Sequence, residues 1–81
     1  MEYPKLANCS PEFTMKALKK IGGFSIVAGT KHYKVRHDTT EKCVTIPRRG
    51  PLKRGLMWSL VKDYLMPLGY TEQMIFSHLW C

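Results

Sequence analysis

The sequence predicts a single α+β domain: a helix, three antiparallel strands, a second helix and a short final helix. Three observations predict it: a capped helix start at Ser10, strict alternation from His32 to His37, and an amphipathic stretch from Leu56 to Leu65. The 81 residues suffice for one hydrophobic core. We therefore expect one domain over 1–81, with a core at about 10–66, a C-terminal extension at 67–81, and both long helices on one face of the sheet.

The first helix is predicted from its two ends. Ser10 is a typical N-cap residue, Pro11 supplies the first helical φ, and Glu12 lies at the positive end of the helix dipole. Apolar residues then recur at helical spacing up to Ile21. The Gly22-Gly23 pair ends the helix.

Three short segments predict an antiparallel meander. Phe24 to Ala28 is rich in strand-forming residues and stops at Gly29, which we predict to be a structural turn residue. From His32 to His37 the residues alternate, so His32, Lys34 and Arg36 share one face, which we expect to be the open face or an edge of the sheet. After a polar turn, a third strand runs from Lys42 to Ile46 and ends at Pro47.

The C-terminal half predicts two further helices. A basic segment, Arg48–Arg54, leads into a helix whose apolar positions are Leu56, Leu60, Tyr64 and Met57, Val61, Leu65. Pro67-Leu68-Gly69 ends that helix, and Thr71 can cap a last short one.

Charge and cysteine content indicate the class of partner and the compartment. The chain has 13 Lys and Arg against 6 Asp and Glu, a net charge of +7 and a pI of about 9.6, which favours a polyanionic partner over a charge that serves solubility alone. No apolar run is long enough to cross a bilayer and no signal peptide is apparent, so a cytoplasmic protein is expected. Cys9, Cys43 and Cys81 form no Cys-x-x-Cys pair, and we expect three free thiols.

Three motifs together resemble the HicA family of toxins from bacterial toxin–antitoxin pairs. They are Gly29-Thr30-Lys31-His32, Val44-Thr45-Ile46-Pro47-Arg48 and Leu52-Lys53-Arg54-Gly55, and the resemblance spans about Phe13 to Leu65. It implies a fold like that of double-stranded-RNA-binding domains, cleavage of mRNA as an mRNA interferase, and a cognate HicB-like antitoxin protein. It also implies that His32 is the catalytic residue. Lys31 and Tyr33 beside it, and Arg49 in place of a frequent second histidine, depart from the family pattern.

The chemistry of RNA cleavage is consistent with this assignment. Imidazole titrates close enough to neutral pH to serve as general base or acid, and the cations near His32 are suited to hold the scissile phosphate. The alternative is that His32 is only a polar strand residue on a solvated face of the sheet. We predict RNA contacts through the phosphates, and no metal or other cofactor. The predicted RNA-binding residues are Lys31, Lys34, Arg36, Arg48, Arg49, Lys53 and Arg54. For the basic segment the alternative is a solvated run of charge.

Other candidates are expected to have structural roles. His37 is predicted to pack or to end a strand, and His78 to contact a partner or to be partly buried. Tyr33, Trp58 and Tyr64 suit core packing better than base stacking. Two other functions remain open: a non-catalytic double-stranded-RNA-binding module, and an interaction domain for an acidic protein.

Overall fold

The computed structural model of the chain describes residues 3–81, so the first two residues of the predicted 1–81 domain lie outside it. The element order is that predicted from the sequence. The elements are helix α1 (Pro11–Ile21), strands β1 (Phe24–Ala28), β2 (His32–His37) and β3 (Cys43–Pro47), helix α2 (Arg54–Ser59), a π-helical segment (Leu60–Leu65) and helix α3 (Glu72–Phe76).

Helix α1 begins and ends as its sequence predicts. The Ser10 Oγ accepts a hydrogen bond from the Phe13 amide at 3.1 Å, and Pro11 occupies the first turn. At the other end the Gly22 amide donates to the Leu18 carbonyl at 3.0 Å, and Gly22 has a φ of 91°. Only glycine adopts that backbone conformation without strain, which explains why the helix stops there.

The three strands form one antiparallel sheet in the order β1-β2-β3. The predicted bounds of β1 and β2 are confirmed, whereas β3 lies one residue later than predicted. Pro47 is the register partner of His32 and closes the strand. A proline can take this place because a terminal strand residue can lack an amide donor without breaking the ladder.

The alternation of β2 separates a buried face of the sheet from an open one. Val35 is fully buried and His37 is 7% exposed, while His32 and Lys34 are exposed. On β3, Ile46 is buried on the same side as Val35. The hydrophobic core therefore lies against a single face of the sheet, and the opposite face carries His32, Lys34 and Arg36.

The core extends beyond the predicted 10–66 range at both ends. Leu6 and Cys9 precede α1 and are fully buried, and Ile75 and Leu79, from the predicted extension, are also fully buried. The Leu6 amide donates to the Cys81 carbonyl at 2.7 Å, which joins the two ends of the chain. The segment 67–81 is thus part of the domain core.

The expectation of three free thiols is wrong. Cys9 and Cys81 form a disulfide, with a Cα–Cα distance of 5.4 Å across a sequence separation of 72, and only Cys43, which is exposed, is free among residues 3–81. Such a pair carries no local sequence signal, because only the folded chain brings its partners together. Disulfides are rare in cytosolic proteins, so the cysteines no longer support a cytoplasmic location. No helix within residues 3–81 is long and apolar enough to span a membrane.

The second long helix changes geometry at its midpoint. Instead of one α-helix through Leu65, the chain passes from α2 into the π-helical segment, where the Met66 amide donates to the Val61 carbonyl five residues earlier at 2.9 Å. The π-helical segment buries Leu60, Val61 and Leu65. Helix α3 begins where predicted, since the Thr71 Oγ1 accepts from the Met74 amide at 3.2 Å.

Candidate functional site

His32 lies where the turn after β1 meets the open face of the sheet. It is the first residue of β2, its side chain is exposed, and its register partner is Pro47 at the end of β3. No protein group within residues 3–81 forms a hydrogen bond with its ring. The side chain is therefore accessible to a ligand on the open face.

The turn from Gly29 to His32 is closed by backbone hydrogen bonds. The Gly29 amide donates to the His32 carbonyl at 2.8 Å, and the Arg48 amide donates to the Lys31 carbonyl at 3.0 Å. A Cβ at position 29 would lie 3.0 Å from the His32 carbonyl oxygen, a contact tighter than side chains normally make. Gly29 is the structural turn residue that the sequence predicts.

Arg48 fastens this turn to the end of β3. Its Nη1 donates to the Gly29 carbonyl oxygen, and its guanidinium carbon lies 5.4 Å from the centre of the Tyr33 ring. A cation over an aromatic ring is a favourable electrostatic contact. Phosphate binding by Arg48 stays a prediction, and its hydrogen bond to Gly29 is a contact with the turn that the sequence does not reveal.

The open face presents the three β2 residues that alternation predicts. His32, Lys34 and Arg36 are on this side, and Lys34 is flanked by its register partners Val27 of β1 and Thr45 of β3. Val27 is 65% exposed, an apolar side chain left uncovered in the middle of this face. The sequence analysis did not single out Val27, because a valine in a strand is normally assigned to the core.

Arg36 differs from Lys34 in its charge environment. Its guanidinium contacts the carboxylates of Asp38 at 3.5 Å and Glu41 at 2.7 Å. The Ser25 hydroxyl donates to Asp38 at 2.6 Å and orients that carboxylate. Two carboxylates offset the charge of Arg36, so it is a weaker candidate for phosphate binding than Lys34.

The cations around the basic segment differ in whether their side chains form a hydrogen bond with the protein. Lys31 and Arg49 are exposed and line one hollow beside the His32 turn, and the exposed Lys53 lines an adjoining hollow that also contains Arg49. By contrast, the Arg54 Nε donates to the Lys5 carbonyl oxygen at 3.1 Å. The structure therefore places Lys31 and Arg49 beside the turn and Lys53 further from it, with Arg54 hydrogen-bonded to the N-terminal segment.

His37 has the packing role that was predicted for it. Its Nδ1 lies 2.9 Å from the Thr40 hydroxyl and its Nε2 lies 3.1 Å from the Tyr70 hydroxyl, which in turn donates to the Gly22 carbonyl at 2.9 Å. Burial raises the pKa of Tyr70, and the negative charge of Asp38 raises it further. Tyr70 thus joins the C-terminal segment to the α1–β1 turn, a link that local sequence patterns could not indicate.

The three aromatic candidates have the packing role predicted for them, whereas His78 is not partly buried as predicted and its contact with a partner stays a prediction. Tyr33, Trp58 and Tyr64 are half-buried against the core, as predicted, and the Tyr64 hydroxyl donates to the Lys42 carbonyl at 2.7 Å. His78 is exposed just after α3. Among residues 3–81 no group of three or more His, Cys, Asp or Glu side chains is arranged to hold a metal ion.

Comparison with protein-family models, with curated proteins and with solved structures found no match for this chain.

Proposed function

We propose that the chain is an RNA-cleaving protein of the HicA type, a toxin that cuts mRNA without a metal ion and is held inactive by a HicB-like antitoxin. The observation that carries the proposal is the exposed His32 at a closed turn, beside Lys31 and the free cation Lys34. The net charge of +7 supports a nucleic-acid partner. The α-β-β-β-α order, with one open sheet face, is compatible with a double-stranded-RNA-binding-domain-like fold.

The proposed reaction is transfer of the phosphoryl group to the neighbouring ribose hydroxyl. The 2′-OH loses its proton, the 2′-oxygen forms a bond to phosphorus, the bond from phosphorus to the 5′-oxygen breaks, and the leaving oxygen gains a proton. His32 acts in one of the two proton transfers and water in the other. Cations beside the ring would hold the phosphate and offset the charge that develops on its oxygens.

Cleavage of an end-labelled mRNA by the purified protein in excess EDTA tests this proposal. Discrete fragments ending in a 2′,3′-cyclic phosphate are expected. A rate that rises with pH through the range where imidazole titrates would assign His32 as the base, and a falling rate would assign it as the acid. The absence of cleavage at any pH would overturn the enzymatic proposal.

The second candidate is a non-catalytic module that binds double-stranded RNA. The observation that favours it is the open sheet face itself, where Lys34 and the half-exposed Arg36 accompany His32 on one strand. Phosphate contacts alone would suffice for such a protein. Salt-dependent binding to duplex RNA without cleavage would identify it. An interaction domain for an acidic protein would bind RNA with no advantage over other polyanions.

A further inference from the structure

The segment between β3 and α2 encloses a shallow cleft next to the His32 turn. Its lining residues are apolar except for two cations; they are Pro47, Arg49, Pro51, Leu52, Lys53 and Leu56. Pro47 and Arg49 also line an adjoining depression, which reaches Thr30 and Lys31 in the turn itself. The two hollows thus form one continuous surface that leads from α2 to the His32 turn.

Several contacts hold this cleft in shape. The Leu52 amide donates to the Cys9 carbonyl at 2.8 Å, and the Leu52 side chain is 2% exposed. A Cβ at Gly50 would lie 2.6 Å from the Pro11 Cδ, so the backbone here lies directly against the start of α1. Anchored on both sides, the segment presents a preformed surface, which lowers the ordering cost of binding.

The cleft combines an apolar floor with a cationic rim. Pro47, Pro51 and Leu56 offer water-excluding contact, since they are exposed or partly exposed. The exposed cations around them are Lys31, Arg49 and Lys53. A ligand that complements both has a flat ring with weakly polar faces joined to a negative charge. A nucleotide has this chemistry, because its base can pack on the floor while its phosphates lie at the rim.

We propose that this cleft binds one unpaired nucleotide of single-stranded RNA, next to the bond that His32 cleaves. The inference rests on the proposed function and names its substrate class. A base must be unpaired and splayed out to reach such a surface, since in a duplex its faces are stacked and hidden. Pro47 is both a wall of the cleft and the register partner of His32, which places the bound nucleotide beside the scissile phosphate.

Binding without cleavage tests the cleft separately from catalysis. A fluorescent 2′-O-methyl RNA octamer, which lacks the attacking hydroxyl, is compared by anisotropy with a duplex of the same sequence and with poly-glutamate as competitor. The single strand is expected to bind at least about fivefold more tightly than the duplex, the low end of what one base stack contributes. Equal affinity for strand and duplex, or equally effective competition by poly-glutamate, would overturn the proposal in favour of a surface that recognises charge alone.

Abasic substitution probes the cleft without altering the protein. One base at a time is removed from the octamer, and a loss of affinity of about fivefold or more is expected at one position, with little change elsewhere. A flat profile across all positions would overturn the proposal. If affinity falls at one abasic position but RNA with free 2′-hydroxyls is never cleaved, the nucleotide-binding cleft is supported and the enzymatic function is overturned. If RNA is cleaved but affinity is the same at every abasic position, the enzymatic function is supported and the nucleotide-binding cleft is overturned.

Two substitutions assign the effect to the cleft. Leu56→Ala removes part of the apolar floor of the cleft and should lower the affinity for the single strand several-fold. The affinity for the duplex and the salt dependence of binding should stay unchanged. Arg49→Ala should reduce the salt slope by about one unit for the single strand. Lys20→Ala, which removes one exposed charge from the last turn of α1, is the matched control and should have a smaller effect. If Lys20→Ala matches Arg49→Ala, and the abasic profile is flat, the cleft has no special role.

Discussion

Arg48 donates a hydrogen bond to the carbonyl oxygen of Gly29, and so fastens the residue between Pro47 and Arg49 of the cleft to the first residue of the turn that presents His32. The same guanidinium lies over the Tyr33 ring, at 5.4 Å from its centre. Its neighbour Arg49 is exposed and lines the cleft instead. Two adjacent arginines therefore have separate roles, which substitution can distinguish.

Arg48→Ala should lower the cleavage rate more than the affinity for RNA. Loss of one charge-assisted hydrogen bond at an exposed turn is worth about 1 kcal/mol, or roughly fivefold to tenfold in rate if the turn positions His32. Arg48→Lys should not restore the cleavage rate, because an ammonium group cannot both donate to the Gly29 carbonyl and lie flat over the Tyr33 ring. Single-turnover rates and binding curves measured on both variants check this.

Arg49→Ala is the control for Arg48→Ala, because it should lower the affinity for RNA more than the cleavage rate. It should weaken binding and reduce the salt slope by about one unit, with a normal rate at saturating RNA. If the two variants have the same effects on rate and on affinity, the distinction between a positioning and a phosphate-binding arginine is incorrect.

Lys34 and Arg36 should contribute unequally to RNA binding although they lie on the same strand face. Asp38 and Glu41 offset the charge of Arg36, so its removal also releases two carboxylates onto the surface. Lys34→Ala should reduce the salt slope by about one unit, whereas Asp38→Asn combined with Glu41→Gln should strengthen binding by freeing Arg36. Unchanged affinity in the double variant would show that Arg36 does not face the RNA.

The fold was predictable from local patterns wherever the determining residues are close in sequence. The Ser10 cap, the Gly22-Gly23 stop, the alternation of β2 and the turn at Gly29 each depend on a few neighbouring residues, and each is confirmed. The features that the sequence did not predict have a different origin. The disulfide, the burial of Leu6 with Leu79, and the hydrogen bond from Arg48 to Gly29 all depend on contacts between distant parts of the chain, which periodicity and capping rules do not encode.

The disulfide should account for a large share of the stability. Closing a loop of this length is worth about 4 kcal/mol in the chain-entropy description, which is comparable with the whole stability of a small domain. Cys81→Ser should therefore lower the free energy of unfolding by several kcal/mol, measured in urea, and Cys43→Ser should leave it nearly unchanged.

Thiol titration provides the direct check on that pair. Denatured, unreduced protein should have one reactive thiol, from Cys43, and three after reduction by a dithiol. Three thiols before reduction, in protein kept from reductants, would contradict the disulfide and restore the free-thiol expectation.

Tyr70 should make stability sensitive to alkaline pH. Burial and the charge of Asp38 raise the pKa of its hydroxyl above that of an unfolded tyrosine, so the folded state retains this proton longer than the unfolded state. The corresponding stability is present below about pH 10 and is lost as the pH rises through the folded-state value. Tyr70→Phe should cost about 1 kcal/mol at neutral pH. It should also flatten the decline from pH 9 to 11 in urea titrations. An equally steep decline in the variant would exclude Tyr70 as its source.

The most direct test of the catalytic claim compares two exposed histidines. His32 lies at the turn beside the cleft between β3 and α2, whereas His78 lies just after α3. Because both side chains are exposed, neither substitution should disturb the core. His32→Ala should reduce the rate of RNA cleavage by about 10²–10⁴ with less than about tenfold loss of affinity for the 2′-O-methyl octamer, because a positioned acid or base contributes to the transition state and little to binding. His78→Ala should cleave at the wild-type rate. Cleavage by His32→Ala at the wild-type rate would contradict the assignment of His32 as the catalytic residue.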